Sequence, residues 1–190
     1  MRIVDNEEFL AWASYRGLHL DAQYEPPRTL VYPNGTMTLT GIDLPKSVVQ
    51  WKSALNTAFC LLPKTPLWLY RRGGVWDFLS FSDEEFTSLR DGYNAVLRTI
   101  GIPKGEFSIH FSADEHALIF GILALHSLTA VRTRDDIFVV PETAEFCIWV
   151  DHDEQLILIC KNEDVEQRLR SLAHERGRIL PPHFKPDEAR

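Results

Sequence analysis

The segment that most restricts the fold of this chain is HALIFGILALHSL, residues 116–128, whose apolar side chains would surround a helix on nearly every side. A helix of that kind is buried in a protein core or in a membrane. Its uninterrupted apolar run spans only residues 117–125, whereas about 20 residues are needed to cross a bilayer. We therefore predict a globular protein with no membrane-spanning segment, in which a helix at 113–128 is the most buried element.

The ends of the other predicted helices are marked by capping residues. In a capping box, one side chain accepts a hydrogen bond from a free backbone N–H and a later carboxylate reaches back; the pattern occurs at Asp5 with Glu8, Ser82 with Glu85 and Ser112 with Glu115. Asn162 marks a fourth start. Helix stops are predicted at Gly17, Gly101 and Gly177. Together these signals predict about five helices, near residues 6–16, 47–61, 83–100, 113–128 and 163–175.

Extended segments fill the intervals between the helices. Residues 28–40 and 66–81 each read as a β-hairpin, turning at Asn34-Gly35 and at Gly73-Gly74. Single strands are expected at 106–111 and 136–142. The sequence predicts a single α+β domain over residues 1–182, in which antiparallel hairpins form a sheet packed by the helices, and a loose tail at 183–190. The alternative is two small lobes that divide near residue 103.

The segment CIWVDHDEQLILIC, residues 147–160, predicts a third hairpin with a charged tip. Pairing Val150 with Gln155 would put Cys147 and Cys160 on one face but diagonally apart, which does not favour a disulfide. Three cysteines without a CxxC pair indicate reduced thiols. The N-terminal residues lack the layout of a secretion signal, so we expect a cytoplasmic protein.

The charge distribution favours a protein partner over other kinds. A formal net charge of −7 argues against binding to nucleic acid, which needs a positive surface, and against anionic membranes. Acidic residues concentrate between 135 and 166, where Lys161 is the one base. One interpretation is that these acids are simply solvated at hairpin tips and helix starts. The functional interpretation is an acidic surface that steers a basic partner. We call five of them the predicted acidic surface: Asp135, Asp136, Asp151, Asp153 and Glu154.

The candidate catalytic residues are His110, Asp114 and His116, at a predicted strand-to-helix junction. They could serve a hydrolase, with Asp151 or His152 as a further metal ligand. Capping and the helix dipole explain Asp114 and its neighbours equally well, and the tip at 151–154 lacks the spacing of a calcium-binding EF-hand loop. The sequence therefore predicts no cofactor and favours a binding protein over an enzyme.

The function predicted first is a small, acidic, cytoplasmic protein-binding module. A bacterial immunity or antitoxin-like protein, which covers the active site of a basic toxin, is one specific form of it. The alternatives are the hydrolase and a structural or regulatory subunit of a larger assembly. The sequence carries no motif that selects among them, and it does not define an oligomeric state.

Overall fold

The computed structural model describes residues 1–21, 30–39, 48–71, 75–76, 87–127, 136–151 and 156–180. Its strands are β1 (Arg2–Val4), β2 (His19–Leu20), β3 (Leu30–Val31), β4 (Thr36–Leu39), β5 (Leu67–Arg71), β6 (Val75–Trp76), β7 (Gly105–Glu106), β8 (Ser108–Phe111), β9 (Ile137–Pro141), β10 (Phe146–Val150) and β11 (Leu156–Cys160). Its helices are α1 (Asn6–Tyr15), α2 (Val48–Leu61), α3 (Thr87–Thr99), α4 (His116–Ser127) and α5 (Glu163–Glu175).

A seven-stranded antiparallel sheet organises these elements, in the order β1-β8-β5-β9-β10-β11-β4. Two short pairs, β2 with β3 and β6 with β7, lie outside it. The central strands are apolar on both faces because both faces are covered. In β5, Leu67 and Leu69 point to one face and Trp68 and Tyr70 to the other, and all four are buried.

The two faces of the sheet are covered by different elements. Buried side chains of α2, α3, α4 and α5 form one hydrophobic cluster with one face. Phe9 and Ala13 of α1, together with Leu18, Leu30 and Tyr32, form a second cluster with the other face. The resulting α+β fold is a single domain, as predicted.

The alternative of two lobes divided near residue 103 is incompatible with the order of the strands. Strand β8 follows that point in the chain, yet it pairs with β1 on one side and with β5 on the other. Because residues from before and after position 103 share one sheet, neither part has a separate core.

Most helix ends that the structure describes follow the sequence signals, but Asp5 and Glu8 do not form the predicted capping box, because the Glu8 carboxylate contacts Arg2 instead. The Asp5 side chain accepts a hydrogen bond from the Glu7 backbone, and the Asn162 side chain accepts one from Val165. Ser112 and Glu115 form the predicted capping box. Gly17, Gly101 and Gly177 adopt positive φ angles of 88°, 79° and 68°. Ser82 and Glu85, and the start of the predicted helix at 83–86, lie outside the described residues, as does the predicted tail at 183–190.

Helix α4 is less enclosed than its composition suggested. Ile119, Ile122 and Leu123 are buried against the sheet, but Leu118 is exposed, and Ala117 beside it is exposed too. A short 3-10 turn, Ala113–Glu115, precedes the α-helix. The helix packs on one face of the sheet, so one of its sides is in contact with solvent.

Two of the predicted hairpins are wrong. The turn at Asn34-Gly35 exists, with Gly35 N–H donating to the Tyr32 carbonyl, but β3 pairs with β2 and β4 pairs with β11. A side chain at Gly35 would collide with the Cys160 carbonyl, so the glycine allows β4 to approach β11. In the predicted hairpin at 66–81, β5 pairs with β8 and β9, whereas the described part of the second strand, β6, pairs with β7. The predicted turn at Gly73-Gly74 and residues 77–81 lie outside the described residues.

The third hairpin is present in a different register. Val150 pairs with Leu156, and Cys147 and Cys160 pair with Ile159 and Phe146. A shift of one residue moves a side chain to the other face of a strand. The two thiols therefore lie on opposite faces of the sheet, and all three cysteines are free.

Candidate functional site

The predicted acidic surface is not assembled by the described residues. Asp136 and Asp151 are buried, and each interacts with other groups of the molecule. They flank Ile137 and Val150, which pair with each other at one end of β9 and β10. Asp135, Asp153 and Glu154 lie outside the described residues, as does His152. Partner binding by this group stays a prediction, and Asp136 and Asp151 do not present their carboxylates to solvent.

The three candidate catalytic residues make separate contacts. His110 Nε2 lies 3.1 Å from Glu142 Oε2, and His116 Nε2 lies 2.9 Å from the Thr65 carbonyl oxygen. Asp114 is exposed, and a hydrogen bond from the Ser112 side chain lowers its pKa. Within the described ranges, no group of three or more histidine, cysteine or acidic side chains is arranged to hold a metal ion.

The hydrolase stays a prediction, and metal analysis of the purified protein tests it. The pairing of His110 with a carboxylate is the arrangement by which an enzyme orients a general base. The nearby hydroxyls are engaged elsewhere, since Ser108 contacts Asn6 and Ser112 contacts Glu115. Bound zinc or manganese in stoichiometric amount would favour the enzyme.

The most tightly fixed polar feature is the connection between β9 and β10, residues 142–145, which we call the β9–β10 turn. Glu142 N–H donates to the Pro66 carbonyl at 3.0 Å, and the Glu142 carbonyl accepts from the Arg16 guanidinium at 3.3 Å. The Glu145 carbonyl accepts from Lys161 N–H at 2.9 Å. The backbone of this turn is thus fixed by residues from three distant parts of the chain.

Ala144 shows how strongly the surroundings determine this turn. It is the one non-glycine residue with a positive φ, 48°, in the part of the chain that the structure describes. Its carbonyl accepts a 2.8 Å hydrogen bond from the Tyr32 hydroxyl, and its N–H donates to the Pro141 carbonyl at 2.7 Å. Burial raises the pKa of Tyr32 well above its ordinary value, so the hydroxyl keeps the proton that it donates. Left-handed backbone at such a residue persists only when its neighbours impose it.

Glu142 is held through its side chain as well. Its Oε2 accepts a 3.0 Å hydrogen bond from Trp68 Nε1 in addition to the contact with His110. The Trp68 and His110 rings pack together with centroids 4.4 Å apart, and Trp12 packs on Trp68 at 5.1 Å. An ionised carboxylate only accepts hydrogen bonds, so a hydrogen bond to it from His110 requires the tautomer with a proton on Nε2. The Glu142 carboxylate is thus fixed against the Trp68 and His110 rings, and the Glu142 side chain is still 38% exposed.

Glu145, at the other end of the turn, is the second partly exposed carboxylate. Its Oε2 accepts a 2.6 Å hydrogen bond from Arg168 of α5, and its side chain is 40% exposed. Glu163 and Asp164, both exposed, open α5 just after Lys161, whose N–H binds the turn. The described acids beside β9 and β10 thus divide between two ends of these strands, with Asp136 and Asp151 buried at one end and Glu142 and Glu145 partly exposed at the other.

In the sequence, Glu142 and Glu145 are two of ten acids between residues 135 and 166, and no motif distinguishes them from the others. The partners of Glu142 lie in β5, β8 and the residue after α1, and nothing local in the sequence brings those segments together. A weak signal was present: a non-glycine connection between two apolar strands that holds two glutamates, PETAE at 141–145.

Comparisons with protein-family models, with curated proteins and with solved structures give no match to this chain. Its function is therefore inferred from its own residues. The structure also has, within its described ranges, no helix whose length and apolar character would let it span a membrane.

Proposed function

We propose that this chain is a protein-binding module that recognises a basic protein through the β9–β10 turn. The observation that carries the proposal is the fixed Glu142 carboxylate, which is held by Trp68 and His110 and remains more than a third exposed. A group that is already in its bound geometry loses little conformational entropy on binding.

Long-range electrostatics support the same kind of partner. The chain carries a formal net charge of −7, and Glu163 and Asp164 add exposed negative charge near the turn. Arg16, Lys161 and Arg168 reduce the local field without cancelling the overall charge. A field of this sign raises the rate at which a positively charged protein meets the turn.

A specific form of the proposal is a cytoplasmic immunity or antitoxin-like protein that covers the active site of a basic toxin. Its support is the small size and acidic balance of the chain. A structural or regulatory subunit that docks in a larger assembly through the same turn is the alternative form. The two differ in the partner, which is an active enzyme in the first form and a stable neighbour in the second.

The test measures association with the protein encoded by the adjoining gene, at low and at high salt. We expect the double variant Glu142→Gln, Glu145→Gln to associate several-fold more slowly at low salt, and the difference to shrink at high salt because salt screens the attraction. The control is Glu106→Gln, Glu175→Gln, which removes the same charge from two exposed residues away from the turn. Equal rates for the two double variants would contradict recognition at the turn.

A further inference from the structure

His110 is the titratable neighbour of the Glu142 carboxylate. Its Nε2 lies 3.1 Å from Glu142 Oε2, and its ring packs on Trp68, whose indole N–H donates to the same oxygen. The His110 side chain is 23% exposed, so the ring can exchange protons with water. Histidine is the side chain whose charge ordinarily changes between pH 5 and 8. The contact between His110 and Glu142 therefore exists in two charge states.

Glu142 keeps its position in both charge states. A hydrogen bond from His110 to the carboxylate uses a proton on Nε2, and the additional proton of an imidazolium ion is then on Nδ1. Protonation therefore leaves this contact intact, and Glu142 is held as before by Trp68 Nε1 and, through its own N–H, by the Pro66 carbonyl. The charge is what changes: the pair is negative while the ring is neutral, and it has no net charge once the ring is protonated.

The cations around this pair do not change with it. Arg2 lies opposite His110 on β1 and contacts Glu8 of α1, and Arg16 at the end of α1 donates to the Glu142 carbonyl. The neighbouring strand β5 contributes the uncharged Trp68. The cations nearer to Glu145 are Lys161 and Arg168. Arginine and lysine are ordinarily protonated throughout the range in which histidine titrates, so these groups weaken the field at the turn by the same amount at each pH.

We infer that His110 makes recognition at the β9–β10 turn depend on pH: the turn attracts a basic protein while the ring is neutral, and a proton on the ring cancels the charge of Glu142 and weakens that attraction in mild acid. This inference rests on the function proposed above. Coupling between two binding equilibria is reciprocal, so a partner cation beside Glu142 also opposes protonation of His110. The proton and the basic partner thus compete for one carboxylate.

The experiment measures the association rate with the protein encoded by the adjoining gene at about pH 7.5 and at about pH 5.5, on either side of the ordinary histidine range. At low salt we expect the unmodified chain to associate several-fold more slowly at the lower pH, and we expect high salt to reduce this difference. The rate of His110→Gln should change much less, because an amide can donate to Glu142 but does not titrate.

The matched control is His174→Gln, which removes an exposed histidine from the last turn of α5. We expect this variant to have the pH dependence of the unmodified chain. Each protein is judged by the ratio of its own two rates, so a general effect of the substitution or of the partner's titration does not imitate the result. Circular dichroism at both pH values checks folding. His110→Phe, which keeps a ring against Trp68 and cannot titrate, provides a second test of the same expectation.

The outcomes that overturn the inference can be told apart from failure of the proposed function. If His110→Gln and His110→Phe slow in acid as much as His174→Gln, while Glu142→Gln, Glu145→Gln is impaired at pH 7.5, the inference fails and the proposed function stands. Equal rates for the unmodified chain at the two pH values, at low salt, have the same meaning. If the unmodified chain does not associate at any pH or salt concentration, the proposed function fails and the inference fails with it.

Discussion

At the residue scale, Glu115 is the acid that, among the residues described by the structure, has surroundings that most favour its charged form. Its carboxylate accepts hydrogen bonds from the N-terminal amine and from the backbone N–H and hydroxyl of Ser112. The amine is the largest contributor, and together these donors lower the pKa of Glu115 to about 2. The group therefore ties the start of β1 to the turn that opens α4.

This shift makes the stability of the protein depend on pH in a defined direction. Because the folded pKa lies below the ordinary value of 4.5, the ionised carboxylate stabilises the fold above about pH 4.5, and that contribution is lost as the pH falls toward 2. We expect Glu115→Gln to lower the free energy of unfolding at pH 7. Between pH 5 and 3, the free energy of unfolding should fall less for this variant than for the unmodified chain. Urea unfolding at several pH values measures this difference. Parallel pH profiles for the two proteins would show that the carboxylate is not stabilised in solution.

At the element scale, helix α4 offers a pair of substitutions that differ mainly in burial. Leu123 is buried against the sheet, whereas Leu118 is exposed on the same helix. Leu123→Asp places an uncompensated charge in the core and should destabilise the fold by more than about 3 kcal/mol. Leu118→Asp should change the free energy of unfolding by no more than about 0.5 kcal/mol. Thermal or urea unfolding compares the two, and a similar loss for both would mean that the helix faces the sheet differently.

The helices were predictable from sequence, whereas the pairing of the strands was not, and the difference is physical. A capping residue and its target lie within a few positions of each other, so Asn162 and Gly177 mark α5 by themselves. Strand pairing depends on distant segments: β4 leaves the turn at Gly35 to pair with β11, more than a hundred residues later. The predicted register of β10 with β11 was wrong by one residue. Both strands are apolar on both faces, so no alternation of polar and apolar residues specified which residues pair.

The candidate site was only partly predictable for the same reason. His110 of β8 was singled out from its local sequence, but its partner Glu142 lies 32 residues later, in the connection between β9 and β10. The acids of 135–166 were recognised from the sequence as a group. In the structure, the described acids beside β9 and β10 lie at two ends of β10, and its five residues separate those ends by roughly 17 Å. The number of acids in a segment of sequence does not show how far apart they lie in the fold.

At the scale of the whole molecule, the interleaved sheet predicts cooperative behaviour. Strand β8 lies between β1 and β5, so cleavage near residue 103 cannot release a fragment with a complete core. We expect limited proteolysis to leave no stable fragment that ends near residue 103. Mass spectrometry of a digestion time course, followed by circular dichroism of any persistent fragment, provides the measurement. A folded fragment with that boundary would contradict the single-domain description.

The hydrogen bonds around the β9–β10 turn join residues that are remote in sequence: Arg16 with Glu142 over 126 positions, Tyr32 with Ala144 over 112, and Trp68 with Glu142 over 74. Closing such long loops has an entropic cost, and chains rich in non-local contacts fold slowly. The turn can therefore reach its final geometry only late, when the N-terminal helix and the central strands are already in place. A nascent or partly folded chain would not display it, so recognition of this turn would distinguish a finished molecule from an unfinished one.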